Sequence, residues 1–547
     1  MTSISLLDYA MFLTETRENP RHVAGLMIFE PPAGAGKDFV ARLVDEMREV
    51  PPTPPFSWKL SARLGAMPVW EDTEPDMRHH VRHLAVPRPG GLEELLRLVS
   101  ELHSEMLDRS RPVWEFYLIE GLPDGQFALY SKIHHAYADG ATMSHWLDGS
   151  LSYDRNSDKL TPVWALPGPA GRRSRHTSLT KVLEALGKTA GRQLITVAEL
   201  YTMILKHSLK ALHLTESKVP IPFTAPRTIL NQRLTAARSI AAAAIDLERL
   251  RRAGKAAGGT INDVVLTLCD AALTRYLEER DELPPKPLIA EMPVNLRDQK
   301  SNDGGNVLSI LLVEMARGKM SIRQRFDTIS DSSHTVIKEF SGLSNDAVMT
   351  YTLVVQILAQ IGDSLGLADK LPPLGNLVIS NVPGPRRSLY LRGARLTEIY
   401  PLSTVAPGTV MNITVFSYAG KLLFGLVGGR DAVPDLEQLA GFIPKSLVEL
   451  EDSLGLARSG SDGEKGDAEN TKHRAKAARG KKTTPAKRTE ARSKPAPKRK
   501  KTTTKKTRAG NKPPSTRKKT TTKKTGVGKK SGRPAQTSSE NSEKRKS

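Results

Sequence analysis

Two adjacent histidines, His134 and His135, followed at short spacing by Asp139 and Gly140, are the residues of this sequence best suited to moving a proton. Histidine is the side chain whose unperturbed pKa lets it take and return a proton near neutrality. Such a base works only if it is held rigidly. Residues 126–133 form an apolar, strand-like run, and residues 141–147 read as a helix. The pair is therefore expected where a strand ends, with Asp139-Gly140 turning the chain into the helix. On this reading His135 is a general base. No Gly-x-Ser-x-Gly turn offers an activated serine as nucleophile.

Other candidate chemistry is weaker. The loop Gly34-Ala35-Gly36-Lys37 looks like a phosphate loop, but Pro31 stands where the first glycine belongs and Asp38 replaces the Ser or Thr. His79, His80 and His83 lack carboxylates or a third ligand at metal-binding spacing, and are expected on a surface or strand edge. His145 is expected to be a helix-face residue. The single cysteine, Cys269, lies in the apolar run Val264-Val265-Leu266-Thr267-Leu268-Cys269 and is expected to be a buried, inert thiol. No metal site is expected.

The elements that must position the histidines alternate. Helix is predicted at residues 39–50 and 92–106, and strand at 22–29 and 116–120. A second half predicts helix over 240–253 and from 261 to about 279, and strand over 288–297, 308–313, 376–385, 410–418 and 422–427. Two helices fall between the second and third of these strands, and a helix over 436–450 closes the folded part. This is a mixed α/β layer architecture. Its expected organisation is a first lobe (1–150), a crossover linker and helix (151–225), a second lobe (226–456) and a tail (457–547).

Charge separates the tail from the rest. The chain carries a formal +22, yet residues 471–547 hold 29 Lys and Arg against 3 Glu, which leaves −4 on everything before them. That segment contains no Phe, Trp or Tyr, so no burial offsets the entropy of ordering it, and disorder is expected. Its basicity suits non-specific binding to anionic lipid or nucleic acid, and the missing aromatics remove base stacking. No signal peptide and no membrane-spanning run are recognised, so a cytoplasmic protein is expected, one able to sit on a membrane or lipid-droplet surface.

Five blocks in order carry a resemblance. His134-His135 with Asp139-Gly140 fits His-His-x-x-x-Asp-Gly. Arg111-Pro112-Val113-Trp114-Glu115 resembles a Pro-Leu-Trp block, with Val113 in place of Leu. Asn262-Asp263-Val264-Val265, then Pro293-Val294-Asn295-Leu296-Arg297 with Gly305-Asn306, and Ser380-Asn381-Val382-Pro383-Gly384-Pro385 follow. Together these blocks resemble the bacterial wax ester synthase/diacylglycerol acyltransferase family over roughly residues 3–455. The resemblance implies two lobes like those of chloramphenicol acetyltransferase, with a tunnel between them and the histidines at its middle. It implies acyl-CoA as a substrate rather than a cofactor, and diacylglycerol or a fatty alcohol as acceptor. By the same resemblance His135 is the base, His134 holds the loop, and Asp139 pairs with a distant arginine, for which Arg297 is the candidate. Asn262 is the named candidate for the oxyanion donor, against a helix-cap role for Asn262-Asp263. Two other readings stand beside this one: a condensation-type acyltransferase using a carrier-protein thioester, and a non-catalytic polyanion-binding protein on the same scaffold.

Overall fold

The computed structural model describes residues 2–4, 6–63, 66–138, 140–166, 219–295, 308–343, 345–364, 370 and 372–456. All of these lie in one compact unit, Met1–Gly460. The expected tail and most of the expected crossover lie outside the described residues.

The N-terminal half contributes β1 (Thr2–Ser3), α1 (Leu6–Thr14), β2 (His22–Glu30), α2 (Phe39–Glu49), β3 (Trp58–Arg63), β4 (Ala66–Asp72) and α3 (Met77–His80). It continues with β5 (Val81–Ala85), α4 (Leu92–Ser104), β6 (Trp114–Glu120), β7 (Phe127–His134) and α5 (Gly140–Ser150). The C-terminal half adds β8 (Arg238–Asp246), α6 (Leu247–Ala257), α7 (Ile261–Glu278), β9 (Ile289–Asn295), β10 (Leu308–Glu314), α8 (Ile322–Ser341) and α9 (Asn345–Ser364). Then come β11 (Leu377–Val382), β12 (Tyr390–Leu391), β13 (Ala394–Leu402), β14 (Met411–Tyr418), β15 (Lys421–Gly429) and α10 (Leu436–Ser453).

Two six-stranded sheets organise the unit, with orders β12-β13-β2-β7-β6-β5 and β10-β9-β11-β14-β15-β8. Strand β7 is central in the first, paired antiparallel to β2 and β6, and every one of its side chains is buried. A strand covered on both faces reads as a continuous run rather than an alternation, which is how residues 126–133 look in the sequence. A division of the chain at 225/226 does not divide the sheets, because β12 and β13 return from the C-terminal half to complete the first sheet beside β2.

The two sheets share a packed boundary. Ile240, Phe416, Leu423 and Val427 of the second sheet belong to the hydrophobic cluster of the first lobe. The other face of the second sheet holds Ala290, Met292, Leu311 and Ile413 against α7, α8 and α10. Edge strand β8 is covered by α4, whose Ser104 and Ser100 hydroxyls accept the backbone N–H of Arg238 and Ile240 at 2.8 and 2.9 Å. An edge whose donors are satisfied this way offers no template to another chain.

The structure corrects two expectations. Residues 240–253 are not one helix: β8 takes Arg238–Asp246, and Asp246 caps α6 by accepting from the N–H of Glu248 and Arg249. The alanine run Ala241 to Ala244 favours helix intrinsically, but nine paired positions along β15 outweigh that preference. His80 is not a surface or edge residue. It is fully buried, stacked on Trp114 at 4.3 Å, with Nδ1 2.7 Å from the Trp114 carbonyl. Cys269 is buried on α7, where burial pushes its thiol well above the usual range. Strands β3 and β4 had no counterpart in the sequence reading.

Gly425 marks where β13 crosses the second sheet, since a Cβ there would collide with the Pro401 carbonyl. Gly425→Ala is expected to lower unfolding free energy by about 1–3 kcal/mol, read from the urea midpoint at constant m-value.

Candidate active site

Strand β7 delivers the histidine pair to its C-terminal end, where His134 is the last paired residue, opposite His22. The chain then turns. Tyr137 N–H donates to the His134 carbonyl at 2.8 Å, and His135 N–H donates to the Arg21 carbonyl at 2.7 Å. Val113, from the Pro-Leu-Trp-like block, braces the turn twice: its carbonyl accepts His134 N–H at 3.0 Å and its N–H reaches the Tyr137 hydroxyl at 3.3 Å. Trp114 anchors that block, fully buried with its indole N–H on the Phe56 carbonyl at 2.8 Å.

The two histidines differ in setting. His134 is fully buried, and its ring stacks on Phe12 at 4.1 Å. Its Nδ1 accepts the Ala136 N–H at 3.1 Å, so the ring proton sits on Nε2. That nitrogen faces Glu15 Oε2 at 3.6 Å, beyond hydrogen-bond length but close enough for attraction. His135, one residue on, is only half-buried. Of the pair, His135 is the imidazole that a molecule entering from solvent can meet.

Glu15 is the electrostatic centre of this arrangement. Its Oε1 accepts Arg21 N–H at 2.8 Å, and its Oε2 accepts Arg109 Nε and Nη2 at 2.9 and 2.7 Å. Burial alone would raise its pKa, but the His134 ring, the Arg21 N–H and Arg109 together hold it down to about 2. Arg21 also crosses to the second lobe, where its guanidinium donates to Gln360 Oε1 on α9 at 2.8 Å and to the Val405 carbonyl at 3.5 Å. Beside the turn, His22 and His103 are buried and held well below the ordinary histidine range, chiefly by desolvation.

The other expected residues are distributed as follows. Asp139 and Arg297 lie outside the described residues. Gly140 opens α5, and a Cβ on it would stand 3.8 Å from Val382 Cγ2 at the end of β11. The motif glycine of the first lobe thus lies against the Ser380 to Pro385 block of the second. Asp263 closes a capping box at the start of α7, accepting Thr260 N–H at 2.8 Å and the Ser333 hydroxyl at 2.9 Å. Asn262 donates its amide to Met292 Sδ at 3.4 Å. Met292 belongs to the sheet face packed on α7, so this contact turns away from the boundary between the sheets. Among the described residues no group of three His, Cys, Asp or Glu could hold a metal. Glu15, Arg21 and Arg109 were not found from the sequence. No local spacing links them to the histidines, since Arg109 lies 94 positions from Glu15.

A strand-end imidazole, half-buried and braced from both sheets, is suited to proton transfer at a boundary where two substrates meet. Known proteins agree on the class. Residues 4–265 match the wax ester synthase/diacylglycerol acyltransferase catalytic domain, and residues 304–451 match the WS/DGAT C-terminal domain. A probable diacylglycerol O-acyltransferase of Mycobacterium tuberculosis is 40% identical over 456 residues, 82% of this chain and 98% of that protein. The O-acyltransferase WSD of Acinetobacter baylyi is 36% identical over 462 residues, 83% of this chain and 97% of that one. The solved wax ester synthase/diacylglycerol acyltransferase of Marinobacter aquaeolei superposes with a TM-score of 0.67 at 35% identity, covering 83% and 100% of the two chains. The chain belongs to the wax ester synthase/diacylglycerol acyltransferase family, and it is an acyltransferase.

A depressed carboxyl contributes stability that is complete above its unfolded pKa of 4.5 and disappears as pH falls toward 2. For Glu15 this amounts to about 3 kcal/mol at neutrality. Glu15→Gln is expected to lose about that much in urea unfolding at pH 7, with the gap to wild type closing between pH 4.5 and 2. A gap that stays constant with pH would contradict the electrostatic role.

Proposed function

We propose that the enzyme transfers a long acyl chain from acyl-CoA to the hydroxyl of diacylglycerol or of a long-chain alcohol, with His135 as general base. The observation that carries this reading is the contrast within the pair: His134 is buried and its ring engaged, whereas His135 is half-buried with its backbone N–H fixed on Arg21. The relatives named as diacylglycerol O-acyltransferases support the choice of acceptor.

An alcohol is a poor nucleophile at neutral pH because so little of it is ionised. A ring nitrogen of His135 within hydrogen-bond reach takes the hydroxyl proton as the oxygen bonds to the thioester carbon, so free alkoxide is never needed. The carbonyl oxygen gains negative charge in a tetrahedral intermediate. Collapse of that intermediate breaks the C–S bond and expels CoA thiolate, to which the imidazolium returns the proton. The products are an ester and CoA, and no acyl-enzyme is formed. Negative charge on the tetrahedral oxygen calls for N–H donors placed beside it. Asn262 is not assigned that task here, because its amide is engaged by Met292.

In this reading Asp139 shapes the loop through an arginine, with Arg297 as the candidate partner. The basic tail is a tether to anionic lipid or nucleic acid, holding the enzyme on a membrane or droplet surface where its acceptor is dissolved. Among the described residues no helix is long and apolar enough to cross a membrane.

His135→Ala is expected to reduce turnover of palmitoyl-CoA with either acceptor by about 10²–10⁴-fold at unchanged Tm; retained turnover would refute the base assignment. Full-length protein is expected to bind anionic vesicles or DNA at low salt and to release steeply as salt rises from about 50 to about 200 mM. Absence of binding to both at low salt would remove the tether.

A further inference from the structure

Glu291, on β9, is the buried acid that the mechanism above does not use. It is 1% exposed, and its Oε1 has no hydrogen-bond partner. Its other oxygen meets only the Gln356 amide of α9, at 3.4 Å. Burial pushes this carboxyl up to about 7 against the weak opposing effect of Gln356, so near neutrality a large fraction carries a proton. A buried acid with an unsatisfied oxygen is costly and calls for a reason. The chain also keeps space for it: a Cβ on Gly375 would stand 2.7 Å from Glu291 Cγ and 3.1 Å from Oε1.

Strand register places the side chain on the sheet face turned toward the first lobe. Glu291 is paired with Val378, Val378 with Asn412, Asn412 with Val427, and Val427 with Ile240. Cross-strand partners share a face, and Ile240 and Val427 pack in the first lobe's core. On the same side, α9 and β10 enclose a small pocket whose walls include Ile310, Leu312, Tyr351, Val355 and Leu374, with Gln356 as a polar corner. Leu312 is the direct partner of Glu291 across the β9–β10 ladder. One turn along α9 from Gln356, Gln360 accepts from Arg21, whose carbonyl holds the His135 N–H. The pocket therefore adjoins the helix that contacts the histidine turn.

Apolar walls with one neutral O–H donor suit an alkyl chain interrupted by an uncharged acceptor. An ester carbonyl is such a group, while the phosphates of CoA are not. A diacylglycerol carries two ester carbonyls besides its reacting hydroxyl; a simple long-chain alcohol carries none. We propose that Glu291 is a specificity-determining contact of the acyl-acceptor subsite, donating a hydrogen bond to an ester carbonyl of diacylglycerol. The proposal rests on the lipid-acceptor reading above and gives that acceptor a recognition point.

The test uses full-length enzyme with palmitoyl-CoA and either dioleoylglycerol or hexadecanol. Glu291→Leu, which removes the donor but preserves burial, is expected to lower kcat/KM for dioleoylglycerol on the order of tenfold, mostly through KM, while hexadecanol changes by less than about twofold. Glu291→Gln retains an N–H donor and is expected to keep most of the diacylglycerol activity. Gly375→Ala, whose methyl presses on the Glu291 side chain, is expected to shift the ratio in the same direction, and it serves as the second probe if the leucine variant does not fold. Equal losses on both acceptors, or an unchanged preference in a folded Glu291→Leu protein, would overturn the proposal. Wild-type enzyme inert toward both acceptors would instead overturn the lipid-acceptor reading, and Glu291's role with it.

Discussion

The ionised carboxylate of Glu15, buried under the end of β7, is the constraint on which the histidine turn depends. A charge taken out of water must be matched, and this one is matched by a two-pronged arginine, a backbone N–H and the Nε2 edge of His134. Each partner also does something else. Arg109 ties the β6 approach to the end of α1, Arg21 fixes His135 through its carbonyl, and His134 folds the turn back through Nδ1. Removing the charge would loosen all three at once, because they meet at one pair of oxygens.

That arrangement explains why two histidines are adjacent yet unlike. The first is spent on architecture, with one nitrogen accepting a backbone proton, the other directed to Glu15, and both ring faces excluded from water. The second inherits a fixed backbone and keeps a side chain that is not sealed in. General-base chemistry requires this division, since a base must be located by contacts that do not consume its basicity.

The site is also shared between lobes. Arg21 reaches α9 and the Val405 carbonyl, Gly140 abuts Val382, and β13 completes the first sheet from the far end of the chain. Tilting one sheet against the other would disturb the histidine turn. Packing at the boundary, where Gly425 leaves room for Pro401, thus bears on catalysis without touching a substrate.

The sequence by itself determined the strand that ends in the histidine pair, the helix after it and the separation of the basic tail by charge. It also carried the family, through blocks whose spacing survives on the linear chain. Those features are local: periodicity, composition and short motifs are set by neighbours a few residues apart. Only tertiary structure decided which histidine is buried, because His134 and His135 are identical until Phe12, Glu15 and Arg21 are brought to them. It likewise turned the alanine run of β8 into a strand by pairing it with β15, and buried His80 behind Trp114. Glu291 became visible only when register and the missing Cβ of Gly375 put an unpartnered acid on the face between the lobes. Contacts between residues a hundred or more positions apart leave no periodic trace in a chain, so their physics is legible only after folding has closed the distance.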